Sequence, residues 1–195
     1  MDIRICEVVL ASASPRRKEI LSNAGIRFTA IPAEGEEIRN TTEPVALVKK
    51  LSMDKASEVA GRCGKELLVI GADTVVAVDG EILGKPADEA EAMTMLTKLQ
   101  GRTHSVYTGV TLLYKGVFGD TVEQFAEETK VHVLPMSKEE IERYIRTDEP
   151  MDKAGAYGIQ GRFAEYVSGI EGDYLNVVGL PLSRLVAEVK KLENL

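Results

Sequence analysis

The stretch Ser12-Ala13-Ser14-Pro15-Arg16-Arg17-Lys18 is hard to account for without chemistry. The apolar run Val8-Val9-Leu10 before it reads as a buried strand. Ser14 and Pro15 read as a helix N-cap and a proline at the first helical position. Arg16, Arg17 and Lys18 then fall in the first helical turn, where free N–H groups carry partial positive charge and acidic residues are the usual occupants. Cations there are unfavourable unless an anion joins them. Backbone donors with two guanidiniums, each able to grip phosphate oxygens in pairs, make a phosphate site. The plainer reading is a solvated basic turn, or an Arg17 paired with an acidic side chain. The preceding strand and small-residue loop favour phosphate, and Ser12, Ser14, Arg16 and Arg17 are the candidate binding residues. Asp73 is the second residue of interest. It closes the apolar run Leu67-Leu68-Val69-Ile70, which reads as a strand buried on both faces. A lone acid ending such a run is either a solvent-facing turn or a working carboxylate, and the second is preferred.

Recognisable elements must position these groups. Asn23-Ala24-Gly25 stops the first helix, and Arg27 to Ile31 reads as a short strand. Pro32 to Glu43 is a polar loop carrying Glu34, Glu36 and Glu37. From Thr42 or Glu43 a helix runs to the Gly61–Gly64 region, with Val45, Leu47, Val48, Leu51 and Met53 apolar and Lys55 among its cations. Leu67 to Ile70 forms a strand delivering Asp73 and Thr74 at its end. Val75 to Val78 continues into an Asp79-Gly80 hairpin turn, and Glu81 to Leu83 returns. Gly84-Lys85-Pro86 breaks that strand before a helix from Asp88 to Leu99. His104–Tyr114 and Glu123–Leu134 read as long strands, the second partly polar and so facing solvent on one side. Ser137 and Glu140 make a capping-box signature for a helix reaching Arg146. Between Asp152 and Gly161 lie the closely spaced Gly155, Gly158 and Gly161, which imply backbone packed against a ligand or another strand. Phe163 to Ile170 reads as a strand, and Gly179-Leu180-Pro181-Leu182 opens the last helix. Early alternation with an antiparallel pair in the middle predicts an α/β fold with a mixed sheet.

Composition narrows the function classes. Against 24 basic residues stand 31 acidic ones, a net charge of −7 over 195 residues, so no general attraction to nucleic acid or membrane is expected. Anion binding must then rest on a local basic cluster and a metal ion. Cys6 and Cys63 read as reduced thiols, and no signal peptide or apolar run of membrane-spanning length is present, which points to the cytoplasm. His104 and His132 have no companion at metal-ligand spacing and read as structural. No Gly-x-x-x-x-Gly-Lys-Ser/Thr occurs, which excludes a P-loop enzyme.

Six segments together resemble the Maf family. They are Ser12-Ala13-Ser14-Pro15-Arg16-Arg17, Gly71-Ala72-Asp73-Thr74-Val75-Val76, Gly84-Lys85-Pro86, Gly101-Arg102-Thr103-His104, Asp152 through Gly161, and Val178-Gly179-Leu180-Pro181. The resemblance covers nearly the whole chain in the family's order and implies a single Maf-like domain over residues 1–195. It implies a nucleoside triphosphate pyrophosphatase that cleaves between the α and β phosphates, releasing a nucleoside monophosphate and pyrophosphate with Mg²⁺ or Mn²⁺. The implied fold is a mixed central β-sheet flanked by helices, with two lobes around a cleft, as in inosine triphosphate pyrophosphatases. A homodimer is implied as well. The segment Gly155-Ala156-Tyr157-Gly158-Ile159-Gln160-Gly161 is similar to the branch acting on dTTP and UTP; the 7-methyl-GTP branch carries a glutamate-containing sequence there.

By motif match the resemblance makes Asp73 the proton acceptor and gives Arg16, Thr74 and Gln160 to substrate selectivity. Lys55 and Lys85 become further catalytic positions, and Glu37, from a loop with Glu34 and Glu36 close by, matches another charged active-site position; a hard cation could take Asp73 and Glu37 as its carboxylate ligands. On residue type alone Lys55 is a helix-face lysine, Lys85 an ordinary loop lysine, and Tyr157 with its glycines a packing element. The chemistry needs little more, because hydrolysis of a triphosphate requires neutralised charge and an oriented water. Mg²⁺ keeps several waters and needs one or two carboxylates. The Gln160 amide complements N3–H and O4 of uracil or thymine, but flipped it would suit cytosine. Selectivity therefore requires neighbours, Thr74 or backbone near Gly158, that lock its orientation. The rival reading is a nucleotide-binding regulator of septum formation and cell division in which turnover is incidental; the retained acids and lysines favour the enzyme.

Overall fold

A computed structural model describes residues 7–38 and 40–192; Cys6, read from the sequence as a reduced thiol, lies outside them. The described residues form β1 (Glu7–Leu10), α1 (Pro15–Asn23), β2 (Thr29–Ala30), α2 (Pro44–Arg62), β3 (Leu67–Val78), β4 (Glu81–Leu83), α3 (Glu89–Leu99), β5 (Thr103–Lys115), β6 (Asp120–Val133), α4 (Lys138–Ile145), β7 (Val167–Glu171), α5 (Tyr174–Val178) and α6 (Leu182–Leu192). The sheet order is β2-β1-β3-β5-β6-β7, with β4 also on β3. β1 runs parallel to β2 and β3, with Val9 opposite Thr29 and Val69. β4 is antiparallel to β3 and β7 to β6. The sheet is mixed and flanked by helices, as the alternation of elements requires.

Three expectations need correction. Asp73 does not end a strand: β3 runs unbroken for 12 residues and holds Asp73 inside it, buried. The strand expected over Phe163–Ile170 begins with a 3₁₀ turn at Arg162–Tyr166, so extended backbone starts only at Val167. Phe163 and Tyr166 bury their rings there, and three-residue spacing suits a 3₁₀ turn where a strand would send them to opposite faces. The strand expected over Arg27–Ile31 shrinks to Thr29–Ala30.

The chain divides into two compact units, one holding the residues up to Asp73, Thr108–Glu127 and the residues from Gly179, the other holding Thr74–Tyr107 and Glu128–Val178. In the first, Val9, Val69 and Leu113 of the sheet pack on Ala56, Val59 and Ala60 of α2. Gly71 lets that helix come close, since a Cβ there would collide with the Ser52 carbonyl and with Ala56. In the second, α3 packs on α4, and Val76, Leu83, Val106, Val131 and Val133 share a core with Leu96, Leu99, Ile141 and Ile145. Ser137 and Glu140 form the capping box that their spacing signalled. Among the described residues, no helix is long and apolar enough to cross a membrane.

His104 is buried in the second unit, with Nε2 2.7 Å from the Tyr157 hydroxyl. Burial, and secondarily the charge of His132, lowers its pKa to about 4. The unfolded chain therefore takes up a proton near pH 6.5 that the folded protein refuses. His104 contributes stability present above pH 6.5 and lost as pH falls toward 4, on the order of 3 kcal/mol in full. His104→Gln keeps a partner for Tyr157 and removes the titration. Its stability, measured by urea unfolding from pH 7 to 4, should fall less than that of the wild type. Parallel curves would mean that His104 titrates normally.

Candidate active site

In the first unit, strand period-2 geometry puts Val69, Gly71 and Asp73 of β3 on one face, and that face meets α2. Lys55 lies one residue before Ala56, and its ammonium reaches Asp73. Lys55 Nζ is 2.5 Å from Asp73 Oδ1 and 2.8 Å from Glu37 Oε1. The lysine side chain is 19% exposed, so it is no solvated helix-face residue. Asp73 Oδ2 is buried and has no hydrogen-bond partner among the described residues. The arrangement is thus two carboxylates from separate segments, one ammonium between them, and one carboxylate oxygen left unsatisfied.

The loop after β1 lies in the same unit. Ser14 caps α1, with Oγ accepting from the Arg17 backbone N–H at 3.5 Å. Arg17 is buried. Its Nε donates to the Gly179 carbonyl at 2.8 Å, and its Nη1 donates to the Ala72 carbonyl at 2.9 Å and to Ser12 Oγ at 3.3 Å. Desolvation pulls its pKa down and Asp73 opposes that, yet a guanidinium stays charged at any ordinary pH. Arg17 thereby ties the Ser12 loop to the residue before Asp73 and to the Gly179-Leu180-Pro181 segment, a structural task its place in the sequence did not announce. Arg16, next to it, is half-buried on the same helical turn.

Thr74, Lys85 and Gln160 belong to the second unit. Thr74 is half-buried, and Lys85 and Gln160 are exposed. Gly84, before Lys85, accepts at its carbonyl from the Gly155 N–H at 2.9 Å, which joins the Gly-Lys-Pro and Gly-Ala-Tyr segments. Gln160 stands in a tight turn closed by the Gly161 N–H donating to the Gly158 carbonyl at 3.1 Å. Sequence reading passed over Tyr144 and Glu149, which bond to the backbone of this turn. The one available signal was the glycine spacing, because a Cβ at Gly161 would strike the Glu149 carboxylate and one at Gly158 would approach the Lys153 stem.

No group of three or more His, Cys, Asp or Glu among the described residues could hold a metal ion. Asp73 and Glu37 still suit a hard cation that takes one or two carboxylates and fills its other positions with water and phosphate oxygen.

The family model described as Maf-like protein matches residues 7–192. The chain belongs to the Maf-like family. A dTTP/UTP pyrophosphatase of Agathobacter rectalis is 52% identical over 95% of this chain and 97% of its own length. That of Lachnoclostridium phytofermentans is 52% identical over 95% and 94%, and that of Bacillus thuringiensis subsp. konkukian 48% identical over 95% of each. A HAM1 protein from Coxiella burnetii aligns with 66% of this chain and 73% of that one at 15% identity and a TM-score of 0.44, too loose a likeness to carry weight.

Proposed function

We infer that the chain is a nucleoside triphosphate pyrophosphatase that hydrolyses dTTP and UTP, and modified pyrimidine nucleotides of like shape, to the monophosphate and pyrophosphate. The observation that carries this is the buried Asp73 carboxylate, with Oδ1 on Lys55 and Oδ2 unsatisfied, in a chain about half identical to proteins named for that activity. A buried polar atom without a partner is costly, and a cation or an attacking water would satisfy it. Asp73 and Glu37 would hold a divalent cation, Mg²⁺ or Mn²⁺. Such an ion supplies neutralisation of the charge on the triphosphate oxygens.

The chain's own groups do the rest. Asp73 orients the attacking water and takes its proton. Lys55 holds Asp73 and Glu37 together as a pair that would otherwise repel. Ser12, Ser14 and Arg16, on a helix N-terminus, bind phosphate, while Arg17 adds positive charge and keeps the loop in place. Lys85 is a second phosphate ligand, and Thr74 and Gln160 govern which base is accepted. A single Maf-like domain over residues 1–195, a homodimer and a cytoplasmic location belong to the same proposal. The names of the relatives favour an enzyme over a regulator of septum formation.

The test is a panel of nucleoside triphosphates assayed with Mg²⁺, with Mn²⁺ and with chelator, identifying both products. The expected result is cation-dependent release of monophosphate and pyrophosphate, fastest from dTTP and UTP. Release of orthophosphate and a diphosphate would refute the reading. Binding without turnover under every cation would favour the regulator.

A further inference from the structure

The Gln160 turn is held from outside by one carboxylate. Glu149 Oε1 accepts from the Tyr144 hydroxyl at 2.9 Å, and Oε2 accepts from the Arg162 backbone N–H at 3.0 Å. The Tyr144 oxygen in turn accepts from the Gly158 N–H at 3.2 Å. An ionised carboxylate only accepts, so the tyrosine proton is committed to Glu149 and its oxygen is left for Gly158. Residues 158 and 162, on either side of Gln160, are thereby tied to Glu149, Arg162 directly and Gly158 through the Tyr144 hydroxyl. The glycines complete the fit: Gly161 leaves room for the Glu149 carboxylate, and Gly158 leaves room for the Lys153 stem. Lys153 Nζ donates to the Glu149 carbonyl at 2.7 Å, which fixes the backbone that carries the carboxylate. The Tyr144 ring is anchored below by Phe163, with centroids 5.2 Å apart.

We propose that Glu149, acting through the Tyr144 hydroxyl, is the positioning residue that fixes how Gln160 is presented and so sets discrimination between uracil or thymine and cytosine. This rests on Gln160 as the base reader. A free amide would serve either pyrimidine after a half-turn about its own terminal bond, so discrimination requires that the backbone hold the amide in one place, where neighbours such as Thr74 or the Gly158 backbone can block that half-turn. Glu149 supplies that rigidity without touching the base, which is why its loss should show in selectivity before it shows in chemistry.

Steady-state kinetics with UTP and CTP on Glu149→Gln, Tyr144→Phe, Gln160→Ala and the Glu149→Gln/Gln160→Ala double variant test this. Glu149→Gln should raise KM for UTP and lower the UTP-to-CTP ratio of kcat/KM by about tenfold, with kcat for UTP kept within about threefold. Tyr144→Phe, which keeps the ring packing, should move the ratio the same way by a smaller factor. Gln160→Ala should lower it at least as far, and the double variant no further, since one residue acts through the other. If Gln160→Ala leaves the ratio unchanged, Gln160 does not read the base and the proposal falls with that reading. If Gln160→Ala lowers the ratio while Glu149→Gln and Tyr144→Phe do not, base reading stands and the positioning role is overturned. An equal fall of kcat on both nucleotides with an unchanged ratio overturns it too, marking Glu149 as merely structural. Should Glu149→Gln fail to fold, Tyr144→Phe decides alone, and an unchanged ratio there ends the proposal.

Discussion

Asp73→Asn is expected to lower dTTP hydrolysis by a factor of about 10² or more while nucleotide binding persists. The substitution keeps the shape of the side chain and removes its charge. It also removes the capacity to take a proton from water. Phosphate binding should survive because Arg16, Lys85 and the α1 N-terminus are untouched, and affinity should rise when cation is scarce, since a repelling charge is gone. Apo stability should change by no more than about 3 kcal/mol, the upper end for a hydrogen bond to a charged group. Lys55 keeps Glu37 as a partner at 2.8 Å, and the asparagine oxygen can still accept from it. Raising the cation concentration separates two roles: partial recovery means that Asp73 coordinates, and no recovery means that it handles the proton. Turnover at saturating cation, affinity by calorimetry and apo melting on one preparation are the measurements. Turnover within a few-fold of wild type would remove Asp73 from the chemistry.

The largest effect on stability is expected from Phe163→Ala. Phe163 is wholly buried, with its ring centroid 4.6 Å from Tyr157, 5.2 Å from Tyr144 and 5.8 Å from Tyr166. A buried Phe→Ala change costs about 3–5 kcal/mol through lost transfer energy and the cavity left behind, a large part of the 5–15 kcal/mol typical of a folded domain. The melting temperature should fall by roughly 6–20 °C for a chain of this size. Phe163→Leu should recover much of that, because it refills most of the cavity. Both Tyr144 and Tyr157 lean on this ring, so cavity relaxation would also loosen the Gln160 turn. A melting temperature within about 2 °C of wild type would mean that the ring is not packed as described.

Most elements could be read from the sequence because local physics dictates them. The Ser14-Pro15 start of α1, the Asp79-Gly80 hairpin and the Ser137–Glu140 capping box each need only a few adjacent residues. Apolar periodicity likewise placed α2, α3 and the long strands β5 and β6 within a few residues. Where local signals were mixed, tertiary packing decided. Gly71-Ala72-Asp73-Thr74 looks like the end of a strand because it interrupts an apolar run. It stays extended because α2 covers it and Lys55 neutralises the one charge that burial would forbid. Phe163 to Tyr166 reads as strand by residue type, and instead turns so that both rings enter the same core.

For the site, the sequence by itself determined the charged and glycine-rich segments, since a serine- and arginine-bearing loop, a lone acid after an apolar run and clustered glycines are visible in the order of residues. Family resemblance, not spacing, singled out Lys55 and Glu37. Only the tertiary structure decided that Lys55 joins Glu37 to Asp73, that Arg17 spends its guanidinium on the Ala72 and Gly179 carbonyls, and that Glu149 and Tyr144 grip the Gln160 turn. The physical reason is distance along the chain. Lys55 and Asp73 are 18 residues apart and Arg17 and Gly179 are 162 apart. Nothing local encodes such a pairing, because it exists only once sheet and helices have brought the segments together.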